Sequence, residues 1–462
     1  MIDIKTDSRK VKPGDTFIAI RNVARDGHDY IEAAIEAGAK KIICEEGNYA
    51  VETVVVPNTR VYLDEYLYEK YYPKFSDMKF IGVTGTNGKT TICYLIYQML
   101  MKLGKKCAYI GTIGFYYPNG KRELNNTTPD TDLLYEMFLE AKEAGCEIVV
   151  MEVSSHALDL NRIYGITYDE VAFTNLTQDH LDYHKTLENY REAKKILFMK
   201  TRGDKIAVLN KDDEHYSHFL LEENKNMTIS SKEGNVKIVS IQFSNLGTNF
   251  TFSFENNTYE TAIHMVGRYN VYNYLTAFLL VKNLGFSVEE ILALNETLQA
   301  PKGRMELIPY GTNSIFVDYA HTPDAVINVL KNAKEYKTGK IITLVGCGGD
   351  RDPLKRPIMG HAAEVDSDYV IYTSDNPRTE DPSLILEDIL KGVEQENHEV
   401  IVDRKEAILK GMSLLKDKDI LMILGKGHED YQIIGKEKHH FSDQEIVYEY
   451  IKQNPVEKEK VY

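Results

Sequence analysis

The stretch Phe80-Ile-Gly-Val-Thr-Gly-Thr-Asn-Gly-Lys-Thr-Thr, residues 80–91, decides the predicted fold. A short buried-type strand leads into a glycine-rich turn, and a helix is predicted to follow over Ile92–Leu103. Gly85 and Gly88 allow backbone amides to point into one concavity, where the N-terminus of the helix adds partial positive charge. In such a loop Lys89 can reach the β- and γ-phosphates of a nucleotide, and the Thr90 hydroxyl can bind Mg²⁺.

One position departs from the strict phosphate-loop pattern. Val83 stands where the pattern has its first glycine, and the nearby glycine is Gly82. An ordinary glycine-rich turn between a strand and a helix is therefore the alternative interpretation. The preceding strand, the doubled threonine and the following helix favour ATP binding.

Composition limits the classes of protein to which the chain can belong. Its 462 residues predict about three domains. The composition, with 43% hydrophobic and 27% charged residues, excludes a disordered or fibrous protein. A net charge of −15 argues against binding nucleic acid over a broad surface. Five cysteines without a CxxC pair indicate neither a zinc cage nor a disulfide framework. Because the sequence has no apolar leader and no long apolar run, we expect a soluble cytoplasmic protein without a membrane partner; we also expect a monomer.

Strand-like runs alternate with helical patterns along the whole chain, which predicts an α/β fold with parallel sheets. We expect a small α/β module over residues 1–79 and a larger phosphate-loop domain over 80–300. The alternating, asparagine-rich stretch 230–260 is predicted to be a β insertion in that domain. Residues 301–462 repeat strand–loop–helix units and form the third predicted domain.

A second buried-type strand, within residues 146–153, ends close to the carboxylate of Glu152. Parallel sheets place metal ligands at such strand ends, although a capped or ion-paired structural acid is an equal alternative. Farther along, residues 174–184 concentrate potential oxygen and nitrogen ligands. His180 and His184 are four residues apart and could share a helix face, but no third histidine or cysteine nearby supports a zinc site. The residues alone favour a structural role for both.

Lys194 lies on the apolar face of a predicted helix, Leu187–Phe198, because Leu187, Tyr190, Lys194 and Leu197 recur at three- and four-residue steps. An inward-pointing lysine is desolvated, which favours its neutral amine. The residues alone favour an ammonium that reaches back to the surface. The alternative is that the amine adds CO₂ and becomes a carbamate that bridges metal ions.

Polar loops follow four predicted strands in the C-terminal part, and the carboxyl ends of parallel strands meet at one edge of a sheet. Each loop alone could be a simple turn, but four together favour a ligand-binding edge. Arg351 and Arg378 are natural bidentate partners for carboxylates, or else members of structural ion pairs. The loops are residues 318–323, 346–352, 374–378 and 425–430.

With these motifs in order, the sequence resembles the Mur ligases, and within them the MurE type, which adds the third amino acid of the peptidoglycan stem. Residues 23–25, Val-Ala-Arg, lack the polar residues sometimes found near the uridine in this family. The resemblance spans nearly the whole chain and rests on Asp7-Ser-Arg with Gly14-Asp, Thr84-Gly-Thr-Asn-Gly-Lys-Thr, Asn126-Thr-Thr-Pro, Met151-Glu-Val-Ser-Ser-His, Asp179-His-Leu-Asp-Tyr-His, Gly267-Arg-Tyr-Asn, Gly303-Arg-Met-Glu, Asp318-Tyr-Ala-His-Thr-Pro, Asp375-Asn-Pro-Arg and Gly425-Lys-Gly-His-Glu.

The resemblance implies a UDP-binding N-terminal domain, a central ATP-binding domain and a C-terminal Rossmann-like domain. Ser8 would contact the uridine, and the rest of the UDP-muramoyl dipeptide would be held by Asn126, Thr127, Thr128, Ser154 and Arg162. The ATP site would comprise Gly85, Thr86, Asn87, Gly88, Lys89, Thr90 and Thr91, together with Asn270, Arg304 and Asp318. Two Mg²⁺ ions would be surrounded by Thr90, Glu152, His180 and Lys194, the last as N6-carboxylysine. The resemblance thus makes His180 and Lys194 expected metal ligands, although the residues alone favoured the simpler interpretations. The expected catalytic residues are Lys89, Glu152, His180 and Lys194.

In this family the motif Asp375-Asn-Pro-Arg accompanies meso-diaminopimelate as the incoming amino acid. Arg378 can pair with the distal carboxylate that lysine lacks, and an unpaired buried arginine would penalise lysine. The pocket would be completed by Arg351, Asp375, Asn376, Pro377, Gly425 and Glu429.

The implied reaction joins meso-diaminopimelate to the D-Glu side-chain carboxylate of UDP-MurNAc-L-Ala-D-Glu, a step of peptidoglycan precursor synthesis. ATP would convert the carboxylate to an acyl phosphate, which the amine then attacks, while Lys89 and Mg²⁺ neutralise charge on the phosphoryl oxygens. Three alternatives stay open: a lysine-adding relative, another ligase of the superfamily such as a folylpolyglutamate synthetase, and a non-catalytic paralogue that binds UDP-sugar nucleotides.

Overall fold

The computed structural model describes residues 2–21, 26–244 and 247–456, so residues 23–25 lie outside the described part. The chain forms two compact units. The first comprises Met1–Ile229 and Thr276–Gly285, and the second comprises Ser230–Leu275 and Phe286–Tyr462. The junctions expected after residues 79 and 300 each fall inside one of these units, and the domain boundaries stay predictions.

The N-terminal part of the first unit is a small α/β layer. Its four strands are all parallel and lie in chain order across the sheet. Ile4 from this sheet and Leu63 from the following helix join Phe75 and Phe138 in one apolar core, which ties the layer to the rest of the unit. The elements are β1 (Ile4–Lys5), β2 (Thr16–Ile18), α1 (Ile31–Glu36), β3 (Lys41–Cys44), β4 (Glu52–Val55) and α2 (Thr59–Tyr71).

A larger sheet follows in the same unit. Its elements are β5 (Lys79–Thr84), α3 (Lys89–Lys102), β6 (Cys107–Gly111), β7 (Gly114–Tyr117), β8 (Gly120–Arg122), α4 (Thr131–Glu143), β9 (Ile148–Glu152), α5 (Ser155–Asp159), β10 (Tyr168–Phe173), α6 (Leu181–His184), α7 (Leu187–Met199), β11 (Thr201–Asn210) and β12 (Lys225–Ser230). Strand β5 lies between β9 and β10 and is parallel to both. Parallel pairing continues from β9 to β6 and from β10 through β11 to β12, while β6, β7 and β8 are antiparallel.

The register of this sheet brings three strand ends together. Val83 of β5 is paired with Glu152 of β9, and Thr84 is paired with Phe173 of β10. The loops that leave β5, β9 and β10 therefore start at the same edge, which is where parallel sheets bind ligands. Val83, Glu152 and Phe173 are fully buried there.

The second unit begins with an antiparallel meander of three strands and ends in a six-stranded sheet. That sheet has the order β16-β17-β21-β18-β19-β20 and is parallel except for the edge strand β16. Its two faces are covered by separate apolar cores. The elements are β13 (Val236–Ser244), β14 (Gly247–Phe254), β15 (Asn257–Ile263), α8 (Arg268–Asn283), α9 (Val288–Leu292), β16 (Glu306–Tyr310), β17 (Asn313–Asp318), α10 (Pro323–Tyr336), β18 (Ile341–Val345), α11 (Lys355–Val365), β19 (Tyr369–Tyr372), α12 (Pro382–Leu390), β20 (His398–Val400), α13 (Arg404–Leu414), β21 (Ile420–Leu424), β22 (Tyr431–Ile434), β23 (Glu437–His440) and α14 (Asp443–Gln453); α8 is shared with the first unit in sequence.

The predicted α/β class with parallel sheets is confirmed, and the stretch 230–260 forms β strands as expected. The helix after the phosphate loop begins at Lys89 rather than at Ile92, because Gly88 adopts a left-handed conformation (φ +89°) and caps it directly. Among the described residues, no helix combines the length and the apolar character needed to cross a bilayer.

Candidate active site

The loop between β5 and α3 is fixed by contacts with the end of β10. The Asn87 backbone amide donates to Asn175 Oδ1 (3.0 Å), and the Asn87 carbonyl accepts from Thr174 Oγ1 (2.6 Å). A Cβ on Gly85, whose φ is +145°, would lie 1.8 Å from Thr174 Oγ1, so only glycine fits this position. Because α3 starts at Lys89, the N-terminus of this helix, with its partial positive charge, lies directly at the phosphate loop and favours an anion there.

Two lysines meet at one carbonyl group of this loop. Lys89 Nζ donates to Gly85 O (2.9 Å) and to Thr86 O (2.8 Å), and Lys194 Nζ donates to the same Gly85 O (2.8 Å). Lys194 lies on the buried face of α7, but the expectation from the residues alone, that its ammonium reaches back to the surface, is wrong: the side chain is completely buried, and its Nζ lies 4.2 Å from the centre of the Tyr190 ring. Burial, and next the nearby charge of Lys89, hold the pKa of Lys194 well below its usual value.

Glu152 is the last residue of β9 and is completely buried. Its Oε1 accepts from Tyr109 Oη (2.6 Å) and the Thr112 amide (2.9 Å), and its Oε2 accepts from Thr90 Oγ1 (2.9 Å). Gly111 permits this approach, since a Cβ there would lie 2.2 Å from Oε1. The carboxylate is thus fixed beside the phosphate loop in a single orientation.

The Thr90–Glu152 pair fits Mg²⁺. An octahedral Mg²⁺ with ligands at about 2.05 Å places neighbouring ligand atoms about 2.9 Å apart, which is the separation of Thr90 Oγ1 and Glu152 Oε2. In the described part of the chain, no group of three or more His, Cys, Asp or Glu side chains is arranged to hold a metal ion. Mg²⁺ commonly binds through one carboxylate and the phosphates of a substrate rather than in an all-protein cage.

His180 and His184 do not share a helix face, so that sequence-based expectation is wrong. The helix α6 starts only at Leu181, and His180 precedes it in a left-handed conformation (φ +54°), which histidine adopts more readily than most residues. The His180 ring is half-exposed, with its centre 6.0 Å from that of Tyr190. His184 is buried with Nε2 2.9 Å from Ser155 Oγ, and burial lowers its pKa.

The residues expected to contact the muramoyl dipeptide form one hydrogen-bonded group at the end of β9. Thr128 Oγ1 donates to Glu152 O (2.9 Å) and accepts from the Ser154 amide (3.0 Å). Arg162 donates to Thr128 O (3.2 Å), and Thr127 Oγ1 lies 3.0 Å from Thr112 Oγ1. Asn126 is exposed in the same loop.

Ser8 lines a cavity of about 340 Å³ in the first unit, together with Tyr30 and Arg60. Asp130 lines the same cavity and forms an ion pair with Arg162 (2.9 Å), which connects the cavity to the group around Thr128. The ion pair therefore joins the cavity lined by Ser8 to the hydrogen-bonded residues that are expected to contact the muramoyl dipeptide.

Asn270, Arg304 and Asp318 belong to the second unit. Asp318 ends β17 and accepts from the amides of Met305 (2.7 Å) and Ala320 (2.8 Å); burial raises its pKa. The Arg304 guanidinium lies 5.2 Å from the centre of the Tyr319 ring, so Arg304 and Asp318 adjoin one another. Asn270 is buried, and its Nδ2 donates to Val266 O (2.9 Å).

All four predicted loops, those after β17, β18, β19 and β21, lie at one edge of the second unit's sheet, where the Gly425 amide donates to Asp318 O (3.1 Å). Asn376 donates to Glu429 Oε2 (2.9 Å), and Arg378 donates to Gly349 O (2.8 Å). A Cβ on Gly425 would lie 2.7 Å from Asp375 Oδ2, and burial raises the pKa of Asp375. Pro377 is buried between Asn376 and Arg378, and Arg351 is exposed.

Sequence reasoning missed several residues that shape these sites. Tyr109 and Thr112 orient Glu152, and Tyr190 lies against both Lys194 and Thr86 (Oη to Oγ1, 3.3 Å). Lys426 is completely buried and contacts both Glu429 (3.1 Å) and Asn376 Oδ1 (3.2 Å). The sequence did offer a signal for two of them: Lys426 lies within the polar loop 425–430, and Tyr190 precedes Lys194 by four residues on one helix face. The contacts of Tyr109 and Thr112 with Glu152 join residues far apart in sequence, which no local pattern indicates.

Three family descriptions match this chain in order. "Mur ligase family, catalytic domain" matches residues 3–71, "Mur ligase middle domain" matches residues 83–281, and "Mur ligase, glutamate ligase domain" matches residues 303–427. Relatives that are 42% identical occur in Clostridium tetani, with 98% of this chain and 95% of the relative covered, and in Bacillus cereus, with 97% and 93% covered.

The chain belongs to the Mur ligase family.

Both of these relatives are UDP-N-acetylmuramoyl-L-alanyl-D-glutamate--2,6-diaminopimelate ligases, and so is a solved structure that is 33% identical, with a TM-score of 0.72 and coverage of 98% of this chain and 94% of that one. A folylpolyglutamate synthase from Thermotoga maritima shares the fold at 17% identity, with a TM-score of 0.61 and coverage of 78% and 90%. The Mur ligase fold with three α/β parts, expected from the motifs, is thus confirmed.

Proposed function

We propose that this Mur ligase is the ATP-dependent enzyme that adds meso-diaminopimelate to the D-Glu side-chain carboxylate of UDP-MurNAc-L-Ala-D-Glu in peptidoglycan precursor synthesis. The observation that carries the proposal is identity of about 40% with meso-diaminopimelate ligases over nearly the whole chain. Mur ligases in general use ATP and Mg²⁺. The same proposal includes that the enzyme is a monomer, that it acts in the cytoplasm and that its substrates are small molecules.

The phosphate loop would bind the ATP phosphates. The N-terminus of α3 would attract the phosphate oxygens, and the Lys89 ammonium, which donates to Gly85 O inside the loop, would pair with the β- and γ-phosphates. Nucleotide binding is also proposed for Asn270, Arg304 and Asp318, on the resemblance of their motifs to those of the family. Bound Mg²⁺ would neutralise charge on the phosphoryl oxygens, and Thr90, Glu152 and His180 are the residues that would hold it.

Lys194 would act as a carbamate. Its buried amine has a depressed pKa, so the neutral form that reacts with CO₂ is available. The amine nitrogen forms a bond to the carbon of CO₂ and loses one proton to water, which leaves an N-carboxylate anion. This anion would offset the charge of Lys89, 2.9 Å from the shared Gly85 carbonyl, and supply oxygen atoms for a second Mg²⁺.

Bond formation would proceed in two steps. The D-Glu carboxylate oxygen attacks the γ-phosphorus, ADP leaves, and an acyl phosphate forms. The amine of meso-diaminopimelate then attacks the acyl carbon, loses a proton and expels phosphate. Ser8 at its cavity and the group formed by Asn126, Thr127, Thr128, Ser154 and Arg162 would position the UDP-linked substrate.

The pocket at the edge of the second unit would select the incoming amino acid. Arg378 would pair with the distal carboxylate of meso-diaminopimelate, with Arg351, Asp375, Asn376, Pro377, Gly425 and Glu429 around it. Lysine would leave the Arg378 guanidinium without that partner, which penalises lysine.

Amino-acid-dependent release of phosphate tests the function. The full chain with ATP, Mg²⁺ and UDP-MurNAc-L-Ala-D-Glu should release phosphate with meso-diaminopimelate and much less with L-lysine. A preference for lysine would make it the lysine-adding relative, and glutamate addition to a folate would make it a folylpolyglutamate synthetase. Binding of UDP-sugar nucleotides without phosphate release with any amino acid would indicate the non-catalytic paralogue.

A further inference from the structure

A buried ion pair lies directly behind the proposed amino-acid pocket. Arg404 Nε and Nη2 donate to the two carboxylate oxygens of Asp443, each at 2.8 Å, and neither side chain is exposed. Arg404 is the first residue of α13, and Asp443 is the first residue of α14. None of the motifs used in the sequence analysis includes either residue.

The Arg404 guanidinium also reaches the ends of two strands that lead into the pocket. Its Nη2 donates to Leu424 O (3.0 Å), immediately before Gly425, and its Nη1 donates to Ser374 O (3.4 Å), immediately before Asp375. These two loops touch one another, because a Cβ on Gly425 would lie 2.7 Å from Asp375 Oδ2. One side chain thus links the two backbones at the points where both loops begin.

The energetics argue against a purely stabilising role. A positive charge in the first turn of a helix is unfavourable, because the N-terminus of the helix is itself partly positive. A buried ion pair also contributes little net stability compared with apolar packing. Asp443, in contrast, is favourably placed at the start of α14. The arrangement fixes a guanidinium, with its planar set of donors, at the junction of two loops despite these costs.

We propose that Arg404, oriented by Asp443, is a positioning residue that sets the spacing of the 374–378 and 425–430 loops and thereby the affinity of this enzyme for its incoming amino acid. The inference rests on the proposed function and adds to it a determinant that does not touch the substrate. Asp375, Asn376 and Glu429 would be misplaced when the link between Leu424 O and Ser374 O is lost.

The test compares three full-length variants in steady-state assays. Arg404→Lys keeps the positive charge, but the lysine cannot donate to Leu424 O and Ser374 O together. Asp443→Asn keeps the shape of the side chain but removes the negative charge that pairs with Arg404. Each should raise the KM for meso-diaminopimelate at least tenfold, while the KM values for ATP and the UDP-linked dipeptide stay within twofold of wild type. Asp419→Asn is the matched control, because Asp419 is a buried carboxylate just before the opposite end of β21, where it accepts from the amides of Lys340 and Lys416.

An unchanged KM for meso-diaminopimelate in both folded variants overturns the proposal. So does an equal rise in the KM values of all three substrates, or a rise of the same size in Asp419→Asn, since either indicates a general structural effect. If Arg404→Lys yields no folded protein, Asp443→Asn decides on the same criterion. A wild-type enzyme that is inactive with every amino acid would instead contradict the proposed function.

Discussion

The side-chain amines of Lys89 and Lys194 donate to the same oxygen atom, the carbonyl of Gly85, at 2.9 and 2.8 Å. Two ammonium ions so close together repel one another, and the buried member gives up its charge more readily. The depressed pKa of Lys194 follows first from burial and then from Lys89. A carbamate on Lys194 would replace this repulsion with attraction, which is why the central mechanistic claim concerns this pair.

Lys194→Ala should lower turnover by roughly 1,000-fold or more, because the variant loses both the carbamate and the metal ligand that it provides. Formate or acetate should restore part of the activity by occupying the space of the missing carboxylate. Phosphate release measured with and without the added acid checks this. Lys195→Ala is the control and should remain active, since Lys195 is not buried on the apolar face of α7. Full activity of Lys194→Ala without added acid would remove the carbamate from the mechanism.

Thr90→Val should reduce kcat by roughly 100-fold and raise the Mg²⁺ concentration needed for half-maximal activity. The variant keeps the shape of the side chain but loses the hydroxyl that lies 2.9 Å from Glu152 Oε2. Thr90→Ser retains the hydroxyl and should stay within a fewfold of wild type. A Mg²⁺ titration that is identical for wild type and Thr90→Val would show that the hydroxyl does not serve the metal.

Arg378→Met should weaken discrimination between meso-diaminopimelate and lysine. The loss of a charged donor for the distal carboxylate should lower kcat/KM for meso-diaminopimelate roughly 100-fold, with a much smaller effect on lysine. The measurement is the ratio of kcat/KM for meso-diaminopimelate to kcat/KM for lysine, with the two amino acids assayed in parallel. Lys391→Met, at an exposed ion pair with Asp388 in the same unit, should leave the ratio unchanged. If the ratio in Arg378→Met equals that of the wild type, residues of the pocket other than Arg378 determine the selectivity.

Asp64→Asn should stabilise the protein above about pH 6. Burial raises the pKa of Asp64 to about 6, from 3.8 in the unfolded chain, so the folded state binds the proton more tightly than the unfolded state. Wild-type stability should therefore fall as pH rises from about 4 to 6, and at pH 7.5 the asparagine variant should gain roughly 1–3 kcal/mol.

Denaturant unfolding at pH 4.5 and pH 7.5 checks this difference. Asp77→Asn is the control, because Asp77 is exposed and pairs with Lys142, which lowers its pKa. That substitution should change stability little at either pH. A gain for Asp64→Asn that is the same at both pH values would show that ionisation of Asp64 is not its cause.

Local patterns in the sequence predicted the parts of the site that depend on one element. The periodicity of Leu187–Phe198 placed Lys194 on the apolar face, and the apolar run before Glu152 placed that carboxylate at a strand end; the observed α7 and β9 agree with both. Both follow from helix and strand geometry alone. The motif order, through the resemblance, then indicated the family and the reaction.

Contacts between distant residues could not be predicted in the same way. Tyr109 and Glu152 are hydrogen-bonded although they lie on separate strands, and Arg404 and Asp443 come from two different helices. His180 illustrates a local failure, since its spacing from His184 suggested a helix but its left-handed backbone ends that pattern. Pairing of this kind depends on the tertiary fold rather than on sequence spacing.

The most direct test of the central claim is ¹³C NMR of the full chain equilibrated with ¹³C-bicarbonate in the presence of Mg²⁺ and ATP. We expect one protein-bound carbamate resonance in the wild type, with its loss in Lys194→Ala and its retention in Lys195→Ala. A fully active wild-type enzyme without such a resonance, or a resonance that persists in Lys194→Ala, would contradict the account.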